Sequence, residues 1–263
     1  KVSGPDPKKE DAKHGTHVAE IIAANRNNSV GLKGVASNAK IMAVRAVPDG
    51  DEYDKDIALG IRYAVDNGAK VINTSFGKYF SQNPEWVIDA IKYAADKDVL
   101  IVNAAGNEGI DLDKKRVYPN DQNPQETTEI SDNFLTVGAL NYEYGANLIA
   151  TFSNYGATNV DVFAPGTKIW STTPNDTYEY LQGTSMASPA VAGIAAIIRG
   201  YYPKLSAGQV KQIIMDSGIS TKATVVLGGD TSNTKKFQTI STSGKMANLY
   251  NALILADQIS KNN

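Results

Sequence analysis

Both histidines of the chain lie in one short stretch, HGTH at residues 14–17, which runs into an apolar segment of helical type. Histidines three positions apart share a helix face and could bind a metal together, whereas a single imidazole near a helix start could act as a general base. The metal interpretation needs carboxylates to complete the site, because the chain has no further His and no Cys. Two purely structural histidines are the remaining alternative.

A serine flanked by small residues, Ser185 in the stretch GTSMASP at residues 183–189, opens a long apolar segment. Small neighbours let a substrate carbonyl approach a nucleophile, and the unpaired N–H groups of a first helical turn favour the oxyanion that attack creates. Taken singly, a serine at such a place is more often an ordinary helix cap. The stretch therefore predicts either a nucleophile or a cap.

Two further polar stretches directly follow apolar strands. Asn107, in AAGNEG at residues 104–109, comes after the strand VLIV. Ligands of parallel α/β sheets bind at the carboxyl ends of strands, so the amide of Asn107 could donate to an oxyanion there. The stretch VINTSFG at residues 71–77 ends in polar residues and glycine, and such an edge could pair with an extended peptide. Ordinary turns are the alternative at both places.

The elements that must position these residues alternate between apolar strands and amphipathic helices. Apolar residues recur at helical spacing after the first two strands and after the serine stretch. Continuous apolar strands alternating with helices predict an α/β fold of three layers, αβα, with a mostly parallel central sheet. The strands are predicted at residues 40–47, 71–72, 99–102, 134–140 and 160–163.

Helices also dominate the C-terminal part. The helix after Gly183 is expected to stop before Pro203, and Ser206 with Gln209 matches a capping box that begins another helix. Residues 221–245 are rich in Thr, Ser, Gly and Lys, and we interpret them as a surface excursion before a last helix at residues 246–259. With no internal repeat and no low-complexity linker, residues 1–263 are expected to form one domain.

Composition and charge exclude several classes of function. A hydrophobic share of 42% against 21% charged residues is typical of a chain that folds. The formal charge of −2 offers no field for nucleic acid or an anionic membrane, and the absence of Cys excludes disulfides and thiolate chemistry. The longest run of small apolar residues, 190–198, is far shorter than the about 20 residues of a membrane helix. No basic region followed by an apolar stretch opens the sequence, so no signal peptide is expected in this form of the chain.

Together these motifs resemble the subtilisin-like serine proteases, or subtilases. HGTHVAE, INTSFG, AAGNEG, TFSNYG, FAPG and GTSMASPAVAG follow one another in the order of that family, between residue 14 and about residue 218. The resemblance implies a subtilisin-like fold and a serine endopeptidase that hydrolyses polypeptides with broad sequence tolerance and needs no cofactor for its chemistry. It implies Ser185 as nucleophile, His14 as general base and Asn107 as oxyanion donor, with His17 structural.

The resemblance also implies where the substrate cleft lies. Residues 50–53 are expected to supply an edge strand opposite the cleft wall, so that backbone hydrogen bonds would hold an extended peptide. The two walls are expected to consist of Ser75, Phe76 and Gly77 on one side and of Ala104, Ala105 and Gly106 on the other.

The third member of a subtilase triad, an Asp after the first core strand in a D-S/T-G setting, has no match before His14. Asp6 and Asp11 lie in a polar stretch with no apolar strand to position a buried carboxylate. Asp216 stands in a DSG triplet, but the capping box predicts a helix there, so we interpret Asp216 as a decoy. The chain is therefore expected to lack the family's N-terminal strand, with the Asp on a segment upstream of residue 1. Residues 1–263 alone would be weakly active or inactive, because loss of such an Asp lowers turnover by about 10⁴.

Other interpretations stay open. A catalytically dead subtilase scaffold could act as a binding module, whereas an esterase would be expected to carry a G-x-S-x-G elbow, which the GTSMA around Ser185 does not match. Residues 27–32, NNSVGL, resemble the family's calcium loop, and a plain polar turn is the equal alternative, so metal ligands are unknown. The resemblance further implies export to the medium or cell envelope, and the chain's own N-terminal segment or a prosegment as a partner.

Overall fold

The computed structural model describes residues 12–47, 52–122 and 128–261. Within these ranges the chain forms six α-helices and eight β-strands. The helices are α1 (Lys13–Ala23), α2 (Asp54–Asp66), α3 (Pro84–Asp96), α4 (Thr184–Tyr201), α5 (Ala207–Ser217) and α6 (Leu249–Lys261). The strands are β1 (Val71–Thr74), β2 (Leu100–Ala104), β3 (Phe134–Leu140), β4 (Val162–Pro165), β5 (Ile169–Thr173), β6 (Thr177–Leu181), β7 (Thr224–Leu227) and β8 (Asp230–Lys236).

Strands β1 to β4 form one parallel sheet in the order of the sequence. The register sets Val71 of β1 opposite Leu100 of β2, and Val137 of β3 opposite Val162 of β4. Every residue of β2 and β3 is buried, as expected of strands covered on both faces. Four of the predicted strands are thus confirmed within a few residues, those at 71–72, 99–102, 134–140 and 160–163.

Helices cover both faces of this sheet, because successive side chains of a strand point to opposite faces. Leu100 and Val102 pack on one face in an apolar cluster with residues of α4, α5 and α6. Ile101, which lies between them, packs on the other face with residues of α2 and α3. The predicted three-layer αβα fold with a parallel central sheet is therefore confirmed.

Residues 40–47, predicted as a strand, pair with no other strand in the described structure. The side chains of Ile41 and Met42 are 46% and 40% exposed. The segment lies against α2, since a Cβ added at Gly60 would come within 3.1 Å of the Cβ of Ala46. The prediction was wrong because apolar residues make a strand only where a neighbouring strand pairs with their backbone.

The segment at residues 221–245 contains a hairpin of β7 and β8. Val225, Leu227, Phe237 and Ile240 are fully buried in a second apolar cluster that also includes Phe163. Alternation places every second residue of β7 on the core face, and the polar composition of the segment conceals this. The interpretation as a surface excursion holds for most of β8, whereas β7 and the turn after β8 belong to the core.

The capping box at the start of α5 is confirmed. Ser206 Oγ accepts a hydrogen bond from the Gln209 N–H at 3.1 Å, and Gln209 Oε1 accepts one from the Ser206 N–H at 2.9 Å. The helix continues to Ser217, so Asp216 lies exposed in its last turn, as expected of a decoy. The last helix begins at Leu249, slightly later than predicted.

Some predicted features lie outside the described residues, among them Asp6, Asp11 and the first half of the expected edge strand at 50–53. In the parts of the chain that the structure describes, no helix combines the length and apolar character needed to cross a membrane.

Candidate active site

Ser185 is the second residue of α4, and the residue before that helix has an unusual backbone. Gly183 has φ of 150° and ψ of 162°, a conformation that glycine adopts readily and other residues do not. The first N–H groups of a helix find no acceptor within it, so the N–H of Ser185 faces out of the helix start. The half-buried hydroxyl of Ser185 donates to the carbonyl of Ser75 at 3.1 Å.

The side-chain amide of Asn107 is oriented by Thr184. Asn107 Oδ1 accepts from the Thr184 N–H at 2.8 Å and from Thr184 Oγ1 at 2.9 Å. A Cβ added at Gly183 would lie 3.6 Å from Asn107 Nδ2 and 3.6 Å from the Ser185 nitrogen. The Asn107 amide and the Ser185 nitrogen therefore both border one small opening beside Gly183, with Asn107 Oδ1 at 3.7 Å from the same point. Two N–H donors near one point are what an oxyanion needs.

Helix α1 carries His14 and packs against α4. Val18 and Ile21 of α1 form one apolar cluster with Met186, the neighbour of Ser185. Among the described residues, no hydrogen bond joins His14 to Ser185, so the two helices meet without the bond between nucleophile and base. The ring of His14 lies at the surface, yet desolvation by the surrounding protein, followed by repulsion from His17, lowers its pKa from the usual 6.5.

His17 lies one helical turn after His14 on α1 and is fully buried. Its Nε2 lies 3.2 Å from the carbonyl of Glu179 on β6, and Ser171 Oγ of β5 donates to its backbone carbonyl at 2.8 Å. Desolvation lowers the pKa of His17, although backbone contacts with Glu179 and Ile169 partly oppose it. Within the described ranges no three His, Cys, Asp or Glu side chains come together to hold a metal.

The first predicted cleft wall begins at the carboxyl end of β1. Ser75 is buried, and Gly77 packs so closely on the next loop that an added Cβ would approach the Tyr118 carbonyl and a Val117 methyl to 3.2 Å. Phe76 packs against the cluster under α2 and α3. Lys78 and Tyr118 then exchange two backbone hydrogen bonds, at 2.9 and 2.8 Å. The loop at residues 117–119 therefore backs this wall.

The second predicted wall lies at the end of β2, the neighbouring strand. Ala104 and Ala105 are buried, and Gly106 has a positive φ of 99°. The N–H of Gly106 donates to Thr184 Oγ1 at 3.0 Å. The end of β1 thus contacts Ser185, and the end of β2 contacts Thr184 beside it.

Sequence reasoning missed two residues that orient others, Thr184 and Asn73. Thr184 fixes the amide of Asn107, and Asn73 Nδ2 donates to Ser75 Oγ at 2.9 Å. Neither side chain has catalytic chemistry of its own. The available signal was position: Thr184 adjoins the serine, and the alternation of a strand puts Asn73 on the same face as Ser75.

Two asparagine side chains, one in the loop at residues 27–32 and one just before it, accept hydrogen bonds from the loop backbone. Asn28 Oδ1 accepts from the Val30 N–H at 3.1 Å, and Asn25 Oδ1 accepts from the Asn27 N–H at 2.9 Å. These oxygens act as turn caps rather than converging on one point. The described residues of this loop therefore do not by themselves make a calcium site.

The fold and the motifs define the class of this protein: the chain belongs to the subtilase family, whose sequence pattern matches residues 1–244. A thermophilic serine proteinase from Bacillus sp. strain AK1 is 44% identical over 188 residues, which are 70% of this chain and 42% of that protein. Subtilisin BL from Lederbergia lenta is 38% identical over 82% of this chain and 73% of its own length. The chain thus spans less than half of the first of these relatives.

Solved structures give the same grouping. A protease from Pseudoalteromonas arctica is 30% identical and superimposes with a TM-score of 0.75, over 92% of this chain and 70% of its own. The self-cleaved protease domain of PatA is 25% identical with a TM-score of 0.73, over 98% of this chain and 87% of its own.

Proposed function

We propose that the chain is the peptidase domain of a serine endopeptidase, with Ser185 as nucleophile and His14 as general base. One observation carries the proposal: Thr184 fixes Asn107 so that its Nδ2 and the N–H of Ser185 flank the same opening. A serine that merely capped a helix would need no such pair of donors. The name of one relative, a thermophilic serine proteinase, supports the same chemistry.

The reaction follows from this arrangement. His14 takes the proton of the Ser185 hydroxyl, which leaves the Ser75 carbonyl and attacks the carbonyl carbon of the scissile peptide bond. Asn107 Nδ2 and the Ser185 N–H donate to the oxyanion of the tetrahedral intermediate. His14 then gives the proton to the leaving amine, and a water molecule, activated by the same base, hydrolyses the acyl-enzyme. No cofactor takes part in these steps.

An extended polypeptide is the substrate that this cleft supports. Both walls are backbone segments at strand ends, residues 75–77 and 104–106, and main-chain hydrogen bonds give affinity with broad tolerance of sequence. Of the edge strand expected at residues 50–53, the structure describes residues 52–53, which lie directly before α2. Side-chain preference would come from the space between Gly77 and Gly106.

We propose that the triad Asp is supplied by a segment upstream of residue 1. The side of β1 that faces away from β2 has no strand partner in the described structure, so β1 is an edge to which a further strand can pair. The apolar residues 40–47 also have no strand partner there. A strand from the upstream segment would give backbone partners to one or both.

Hydrogen exchange tests this placement. Adding the upstream segment should slow exchange at the amides of Val71–Thr74 or of residues 40–47, while the amides of β3, already enclosed, should change little. Unchanged exchange at all of these amides on binding would contradict the placement.

Covalent labelling tests the peptidase itself against a dead scaffold that serves as a binding module. A fluorophosphonate should modify Ser185 when the upstream segment is present, and Ser185→Ala should abolish the modification, as read by intact-protein mass spectrometry. Absence of labelling in the unsubstituted protein would favour the binding module. Robust peptide hydrolysis by residues 1–263 alone, lost in Asp216→Asn, would instead reveal a permuted triad.

We further propose that the protein is exported, because one relative is the cell wall-associated protease of Bacillus subtilis, 39% identical over 84% of this chain and 23% of its own length. The PatA domain is described as self-cleaved, which supports the protein's own N-terminal segment as a partner.

Calcium binding would need ligands beyond the loop at residues 27–32. Equal melting temperatures in calcium and in chelator would retire that site.

A further inference from the structure

The backbone carbonyl of Ser185 has no hydrogen-bond donor within its own helix. In an α-helix this carbonyl accepts from the N–H four residues later, and that residue is Pro189, which has no N–H. A polar backbone group left without a partner in the protein interior is costly, so the bond has to come from elsewhere. Ser75, at the end of β1, supplies it: Ser75 Oγ donates to the Ser185 carbonyl at 2.8 Å.

The hydroxyl of Ser75 is itself oriented by Asn73. Asn73 Nδ2 donates to Ser75 Oγ at 2.9 Å, and Asn73 Oδ1 accepts from Ser188 Oγ at 2.7 Å. An amide nitrogen can only donate and a carbonyl can only accept, so the bond from Asn73 leaves the Ser75 proton directed at Ser185. Ser75 and Ser188 are buried and Asn73 is half-buried, and a largely enclosed chain of hydrogen bonds favours one arrangement.

We propose that Asn73 is a positioning residue of the peptidase site, which acts through Ser75 to hold the backbone of Ser185. The inference rests on the proposed role of Ser185 as nucleophile. A second hydrogen bond joins the two serines, because the hydroxyl of Ser185 donates to the Ser75 carbonyl. During attack that hydroxyl must leave Ser75 for the base. The carbonyl contact from Ser75 is then the one that keeps the serine in place.

The test is the rate at which a fluorophosphonate inactivates the encoded protein, upstream region included, with the modification located at Ser185 by mass spectrometry. Asn73→Ala and Ser75→Ala should each slow inactivation by about tenfold, since a small displacement of a nucleophile costs one to two orders of magnitude. The double variant should be no slower than the slower single variant, because both substitutions break one relay. The pH at half-maximal rate should stay unchanged, because the base is untouched.

Three comparison variants separate positioning from loss of stability. Asn133→Ala removes another buried amide, which donates to the carbonyls of Ile91 and Val99, and should lower the melting temperature without slowing inactivation. Ser75→Thr keeps the hydroxyl and should keep most of the rate. Pro189→Ala returns an N–H to the Ser185 carbonyl and should recover part of the rate lost in Ser75→Ala.

Two results would overturn the inference while leaving the peptidase intact: an Asn73→Ala rate no slower than that of Asn133→Ala, or Asn73 and Ser75 effects that multiply in the double variant. An unsubstituted protein that is labelled no faster than Ser185→Ala would instead overturn the proposed function, and the positioning role with it.

Discussion

An amide side chain can present either its oxygen or its nitrogen to a substrate, and at Asn107 this choice is made by Thr184. A flipped amide would set its nitrogen against the N–H of Thr184, so the two bonds on Oδ1 hold Nδ2 free to donate. The donor is thus oriented before any substrate arrives. Such preorganised donors stabilise developing charge without reorganisation at the moment of attack.

Replacing Asn107 should therefore lower kcat far more than it changes KM. We expect Asn107→Leu to reduce kcat by about 10²–10³, because the lost donor acts mainly on the transition state. Thr184→Val, which keeps the backbone bond but not the hydroxyl bond to Asn107, should give a smaller loss of kcat. Steady-state kinetics on a peptide amide measure both. A raised KM with unchanged kcat would speak against the oxyanion role.

The opening between the two donors also predicts the effect of a single methyl group. In Gly183→Ala the new Cβ would lie 3.6 Å from Asn107 Nδ2 and from the Ser185 nitrogen, and the φ of 150° would be strained. We expect kcat to fall sharply. Gly200→Ala in the same helix is the matched control, since nothing lies within 4 Å of its Cβ, and it should leave kcat unchanged. Equal kinetics for the two variants would refute this account of the opening.

At the scale of elements, His17 joins α1 to the hairpin of β5 and β6. Its ring contacts the Glu179 carbonyl through Nε2, while Nδ1 is buried and has no partner among the described residues. Protonation would place a charge and a second N–H on this buried ring, and the backbone contacts with Glu179 and Ile169 only partly offset the desolvation that opposes it. The position of the helix that carries His14 therefore depends on a neutral His17.

Acid should loosen this junction. The folded pKa of His17 lies below the 6.5 of an unfolded histidine, so below about pH 6.5 the unfolded chain takes up the proton first and stability falls as the pH falls. We expect His17→Asn to flatten the decline of melting temperature on this acid side, relative to the unsubstituted protein. His14→Asn should flatten the decline as well, because desolvation also lowers the pKa of His14, so each variant is compared singly with the unsubstituted protein. An unchanged slope in His17→Asn would contradict the assignment.

Across the whole molecule, one buried ionic cluster links α5 to the sheet. Lys211 of α5 lies 2.7 Å from Glu129, 3.7 Å from Asp161 and 3.9 Å from Asp121. One oxygen of Asp121 and one of Asp161 are buried without a hydrogen-bond partner among the described residues. Burial raises the pKa of Asp121 to about 8 and that of Asp161 to about 6, against the attraction of Lys211. Asp121 and Asp161 thus share one lysine with the exposed Glu129, and burial disfavours charge on the two aspartates.

Stability of the whole chain should respond to pH through Asp121. Between pH 3.8, the ordinary pKa of an Asp, and about pH 8, the folded protein keeps a proton that the unfolded chain has lost. The free energy of unfolding therefore falls as the pH rises through that window. Asp121→Asn imitates the protonated acid. We expect it to raise the melting temperature at pH 9 and to have much less effect at pH 4, where the folded and the unfolded chain both keep much of the proton.

The exposed Asp216→Asn controls for the loss of one negative charge in this comparison. A gain in melting temperature for Asp121→Asn of the same size at both pH values, or a loss at pH 9, would contradict the raised pKa. Titration of the side-chain carboxyl by NMR would report the same property directly.

Local patterns determined much of the fold. The apolar runs predicted β2, β3 and β4. The spacing of Ser206 and Gln209, three residues apart, predicted their reciprocal hydrogen bonds. Local sequence patterns failed to predict the structure where it depends on strand pairing or burial. Residues 40–47 have the composition of a strand but no partner, and Val225 lies in a polar stretch yet is fully buried. Burial and pairing depend on what comes from elsewhere in the chain, which a local window does not contain.

The sequence by itself determined the family and the candidate residues for the proposed chemistry, because a nucleophile, a base and an amide donor require particular side chains, which short motifs supply at Ser185, His14 and Asn107. Only the tertiary structure decided how they are held. Thr184 orients Asn107, which lies 77 positions away in the sequence. Ser75, 110 positions before Ser185, donates the hydrogen bond that Pro189 cannot donate to the Ser185 carbonyl. Hydrogen bonds are short and directional, so their partners are fixed only once the folded chain has brought distant segments together.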